Sequence, residues 1–156
     1  MRRRIGLTVV LLAGIALCVP AVSTARSGTY YTTFRSKYGP VQTALNRVGT
    51  ACGYGAVTRV DQMPACGRRV APFRTALAGL LIFLTDTPPA PKVKAEVALA
   101  IATTRVLQQR FTALASIIAR KDLAGFKAMT RSGAHPIDKP ITAFNTALNN
   151  LEIDLL

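Results

Sequence analysis

The chain has 156 residues, half of them hydrophobic, and 20 Lys and Arg against 7 Asp and Glu, a formal net charge of +13. The apolar share excludes an intrinsically disordered chain, and the length leaves room for one domain plus a targeting segment but not for a multi-domain enzyme. The three cysteines are too few for a disulfide-packed mini-fold, and with no Trp and only 6% aromatic residues the chain has few large recognition anchors.

Residues 1–25 carry a destination signal. Arg2, Arg3 and Arg4 form a positive start, Ile5 to Val19 an apolar run, and Ser23-Thr24-Ala25 a small-residue cleavage site. This is the layout of a bacterial-type secretory signal peptide. The run ends at Pro20, short of the ~20 apolar residues of a permanent transmembrane helix. Leu17 stands before Cys18 where a lipoprotein needs a small residue, and Ile5-Gly6 does not continue a twin-arginine motif. The expectation is export by the general secretory route with cleavage after Ala25. The product is secreted or held at the cell envelope, touching the membrane only through its leader.

Cleavage removes Cys18 and three cations but no acid. Cys52 and Cys66 are left as a pair, which in an oxidising compartment reads as one structural disulfide. Closing a loop of about 15 residues, it would stabilise by about 3 kcal/mol in the chain-entropy model. The remaining positive charge would attract an anionic envelope polymer, a headgroup or a protein partner. Only residues 132–156 are net acidic.

Residues 26–39 (RSGTYYTTFRSKYG) lack a clean period and read as a partly ordered lead-in, or alternatively the first turns of a helix, before a helical domain over 40–156. Pro40 suits a first helical position, and Val41, Ala44, Leu45 and Val48 follow at helical spacing, predicting a helix over 40–51. Gly53, Gly55 and Pro64 mark a loop that the disulfide would pinch. The next helix is expected over about 67–85. Its segment Ala76 to Leu84 is apolar all round, and Gly79 there offers a place for close helix approach. Residues 86–91 (DTPPAP) form a stiff turn.

The longest helix is expected over about 92–120, with Val93, Val97, Ala100, Thr104, Leu107, Phe111 and Leu114 on one face. Leu99, Val106, Ala113 and Ile117 form a second stripe, placing the helix centrally in its bundle or on a homodimer seam. Asp122 can cap a short helix from Leu123 to Thr130, ended by Gly133 and Pro136. A last helix begins near Asp138, with Ile141, Phe144, Leu148, Leu151 and Leu155 as its stripe. Glu152 and Asp154 oppose its dipole and call for a basic neighbour. The fold class is therefore all-α, a four-helix antiparallel bundle with one disulfide.

Catalytic patterns are scarce. His135 is the single histidine, and a triad could be assembled only from Ser132 or Ser116 with Asp138, which nothing in the spacing demands. No HExxH, GxSxG, P-loop or GxGxxG pattern occurs. A metal site lacks neighbouring thiols or histidines, so no metal and no cofactor is expected. An interior pocket for a small apolar ligand is a fairer alternative. Haem would need His135 or one of Tyr30, Tyr31, Tyr38 and Tyr54 on its iron. The best basic cluster is Arg59, Arg68, Arg69 and Arg74 around the pinched loop, near Tyr54 and Phe73. Outside a membrane it suits an anionic polymer or headgroup better than a specific nucleic-acid sequence. The sequence thus points first to a non-enzymatic binding or structural protein of the envelope, second to a carrier, and third to a small hydrolase-type enzyme.

Overall fold

Helices account for most of the described chain. The computed structural model describes residues 22–53, 55–131 and 137–156, and among them there is no strand. The helices are α1 (Val22–Cys52), α2 (Met63–Asp86), α3 (Lys94–Ala119), α4 (Leu123–Thr130) and α5 (Asp138–Leu155). Single 3-10 turns, Val60–Gln62 and Pro91–Val93, lead into α2 and α3. No described helix is long and apolar enough to cross a membrane.

The first helix departs from the sequence expectation. Residues 26–39 follow the helical alternative: they belong to α1, which runs through Pro40 instead of starting there. Tyr30, Phe34, Tyr38 and Val41 fall at helical spacing and are all buried, with Phe34 and Val41 fully inaccessible. Burial of that stripe outweighs the local preferences of a segment rich in Thr and Gly, since packing rather than propensity supplies most helical stability. The Thr32 and Thr33 hydroxyls donate to the carbonyls of Gly28 and Thr29 one turn back, which seats them in a helix. Pro40 offers no N–H to the Ser36 carbonyl, a local loss that the flanking buried Tyr38 and Val41 offset.

The other boundaries fall close to expectation. Helix α2 starts at Met63, with Pro64 in its first turn, so Pro72 lies well inside the helix on an exposed position. Asp122 caps α4, its carboxylate accepting the Gly125 N–H at 2.8 Å. Before it, Lys121 takes a left-handed conformation (φ 56°), and the Asp122 and Lys121 N–H groups close on the carbonyls of Ile117 and Ile118. That is a Schellman ending with lysine in the place glycine usually fills.

The core lies between the long helices. Helix α1 packs on α2, α2 on α3, and α3 on α5, while α1 also touches α5 and α4 sits on α3. Phe73 of α2 meets Phe111 of α3 edge to face, with centroids 4.5 Å apart. Tyr38 of α1 meets Phe144 of α5 at 6.3 Å, and its hydroxyl hydrogen-bonds the Asn149 side-chain carbonyl at 3.1 Å. Thr104, buried in the core, donates to the Ala100 carbonyl and needs no other partner.

Candidate functional site

Contacts between helix ends define two ends of the molecule. At the first, Cys52 of α1 and Cys66 of α2 stand at disulfide distance, with Cα atoms 5.1 Å apart, and both are buried. Gly67 of α2 lies against Ile118 of α3, and the start of α5 gathers at the same end. At the opposite end the ring of Tyr30 of α1 lies tilted against that of Phe83 of α2, with centroids 4.9 Å apart. There Arg35 of α1 pairs with Glu152 of α5, the basic neighbour that the acidic end of α5 requires.

The four arginines expected as one patch do not converge. Arg59 turns onto Asp61 in an exposed ion pair of 2.8 Å, and its guanidinium holds the Asp61 carboxyl below its ordinary pKa by hydrogen bonding. Arg68 and Arg69 are exposed on α2 and Arg74 is half-buried. At about 100° per residue, Arg69 lies about 100° round the helix from Arg68 and about 140° from Arg74, so they face different ways.

The end as a whole gathers charge where that patch does not. Around the disulfide lie Arg47 of α1, Arg59, Arg68 and Arg69, then Arg120 and Lys121 at the close of α3. Lys127 and Arg131 follow at α4, and Lys139 at the start of α5. Against them stand Asp61, Asp122 and Asp138. The opposite end carries Arg35, Lys37, Lys92 and Lys94 against Asp86, Glu96, Glu152 and Asp154. The two ion pairs among the described residues are Arg35–Glu152 and Arg59–Asp61. A groove of about 560 Å³ between Gly55–Thr58 and Lys127–Arg131 opens at the positive end. Lys127 and Arg131 were not singled out from the sequence, because they meet the disulfide loop only through the tertiary fold.

The second stripe of α3 is shorter than expected. Leu99 and Val106 are 53% and 43% exposed and Ala113 is exposed, but Ile117 packs on the core. Leu99 borders a groove of about 430 Å³ with Ile153 of α5, flanked by Glu96 and Asp154.

Other sequence candidates are dispersed. Ser132, His135 and Tyr54 lie outside the described residues. The Ser116 hydroxyl accepts from Arg120 at 2.6 Å. Tyr30 and Tyr38 are core residues, and burial raises both hydroxyls, Tyr30 to about 12. Tyr31 accepts from Arg35 at the surface. Among the described residues no group of three His, Cys, Asp or Glu could hold a metal ion. Comparison with known proteins finds no matching family model, no matching characterised protein and no similar solved structure.

Proposed function

We propose that this is an exported, non-enzymatic protein whose four long helices pack as an antiparallel bundle, and whose disulfide-bearing end engages an anionic component of the cell envelope. The bundle reading rests on the contacts at the two helix ends, Cys52 with Cys66 and Tyr30 with Phe83. Export rests on the three-part leader over residues 1–25, to which the cysteine pair at disulfide distance adds the expectation of an oxidising compartment.

One observation carries the functional reading: the excess of cations over acids is far larger at the disulfide end than at the other. A molecule polarised in this way is steered end-on toward a negatively charged surface. The groove between the disulfide loop and α4 places Lys127 and Arg131 beside it, where phosphate or carboxylate groups could be received. A homodimer seam along Leu99, Val106 and Ala113 has weaker support. Two large side chains cover little of the ~1,600 Å² that a standard interface buries.

The test is retention on anionic phosphatidylglycerol vesicles compared with zwitterionic phosphatidylcholine vesicles, with soluble polyphosphate as competitor. Binding to the anionic vesicles should fall steeply between low and physiological salt. Arg68→Glu, Arg69→Glu, Lys127→Glu and Arg131→Glu together should abolish it, while Lys92→Glu with Lys94→Glu should leave it in place. Equal loss from both sets, or no preference for anionic vesicles, would sink the reading.

A further inference from the structure

An apolar cavity lies beneath the positive end, between α1, α3 and the start of α5, and nothing in the electrostatic reading uses it. It is a half-open pocket of about 160 Å³. Leu45 and Val48 of α1, Phe111 and Leu114 of α3, and Ile141 of α5 form its walls, with Cys52 at one edge. We infer that this cavity is a binding site for a small, uncharged apolar molecule about the size of benzene.

Size and lining argue the ligand class. Closed cavities of ~150 Å³ lined by Leu, Ile and Phe take up benzene or xenon, and this half-open pocket matches them in volume and in its apolar walls. This one is below the ~300–1,000 Å³ of pockets that enclose drug-sized molecules, which sets haem aside as an occupant. Its polar lining offers little to a charged ligand. The Thr130 hydroxyl already donates to the Phe126 carbonyl at 3.0 Å. Asp138, in the first turn of α5, is the single charged lining residue among the described residues and would repel an anion. The site is therefore distinct in chemistry from the cationic surface around it. Its wall is also fixed in advance, because Cys52 is tied to α2 through Cys66, and a wall already in place loses little freedom when a ligand enters.

Gly49 makes the test sharp. It lines the cavity from α1, is exposed, and a Cβ added there would meet nothing within 4 Å. Gly49→Leu therefore adds a plug at the mouth, and leucine favours the helix over glycine. The experiment is thermal unfolding of the disulfide-bonded protein with and without benzene, read beside methyl NMR spectra. At ten times its Kd, benzene should raise the midpoint by roughly 3–6 °C through mass action. The shifted methyl signals should be those of Leu45, Val48, Leu114 and Ile141, and benzoate should bind more weakly. Gly49→Leu should fold and lose the benzene effect. Ile141→Phe, a second plug on the facing wall, should lose it too and covers the case of a misfolded first variant. The inference falls if benzene leaves the midpoint of the unaltered protein unchanged, if both plugged variants still respond, or if benzoate binds more tightly than benzene. Arg68→Glu with Arg69→Glu should leave the benzene effect intact, so failure of the vesicle experiment does not touch this site.

Discussion

Gly67 of α2 faces Ile118 of α3 so closely that a Cβ on Gly67 would stand 3.2 Å from the Ile118 Cγ2. The sequence suggested Gly79 as the point of close helix approach, but a Cβ there would meet nothing within 4 Å. Two glycines in one helix thus have opposite roles. Gly79 is a plain helix-interior glycine, about 1 kcal/mol less favourable than alanine. Gly67 keeps a seat for a β-branched side chain with little rotamer freedom. Gly79→Ala should raise stability by about 1 kcal/mol in urea unfolding. Gly67→Ala should fall short of that gain by about 1 kcal/mol or more, because overpacking offsets the propensity. Equal gains at both positions would show that the two helices yield freely at Ile118.

The pair Cys52 and Cys66, separated by 14 residues, closes the loop that joins α1 to α2. Constraining the unfolded chain over such a loop stabilises by about 3 kcal/mol. Cys52→Ser with Cys66→Ser should lower the urea midpoint by the corresponding amount without loss of helix content in circular dichroism. Helix content is expected to survive because Tyr30 with Phe83 and Phe73 with Phe111 hold α2 to its neighbours elsewhere. Unfolding of the double variant at 25 °C would mean that the bridge does more than shorten a loop.

How much of this was legible in the sequence differs from element to element. The start of α4 was readable because Asp122 announces a cap, and α5 because Ile141, Phe144, Leu148, Leu151 and Leu155 keep one face without interruption. The front half of α1 was not. Its stripe of Tyr30, Phe34 and Tyr38 is sparse, set among threonines and glycines, and becomes a helix signal only once those rings have partners in α2 and α5. The dispersal of Arg68, Arg69 and Arg74 followed from the same 100° rule that located the core face of α3, so it could have been found by applying that rule to charges. The apolar cavity could not, because its walls come from positions as far apart in the chain as Leu45, Phe111 and Ile141. No periodicity within one helix reports how three helix ends meet.

The join between α3 and α4 offers a third pair of substitutions. Lys121 holds a left-handed conformation that costs an ordinary residue about 1 kcal/mol, and Asp122 next to it satisfies the Gly125 N–H. A Cβ at Gly125 would collide with that carboxylate, so the cap depends on glycine there. Lys121→Gly should therefore stabilise by up to about 1 kcal/mol. Asp122→Ala should cost about 1 kcal/mol, with amide exchange accelerating first in α4. Slower exchange in α4 after Asp122→Ala would contradict the assigned cap.

Alkaline pH should act through the α1 tyrosines. The Tyr30 hydroxyl is buried with no hydrogen-bond partner among the described residues, and burial raises it from 10.0 to about 12. Burial also raises Tyr38, in spite of a side-chain hydrogen bond with Gln42 that acts the other way. A tyrosine is neutral when protonated, so a raised folded-state pKa means that the unfolded chain gives up its proton first. The contribution is therefore fully present below pH ~10 and is lost as pH rises through the folded value of about 12. Unfolding free energy measured from pH 8 to 12 should be flat at first and fall above pH 10. Tyr30→Phe keeps the ring on Phe83, 4.9 Å away by centroid, and removes both the orphaned hydroxyl and its proton. That variant should match or exceed the parent at pH 8 and lose less stability at pH 11, the remaining slope belonging to Tyr38. An unchanged slope in Tyr30→Phe would mean that the Tyr30 hydroxyl reaches water in solution.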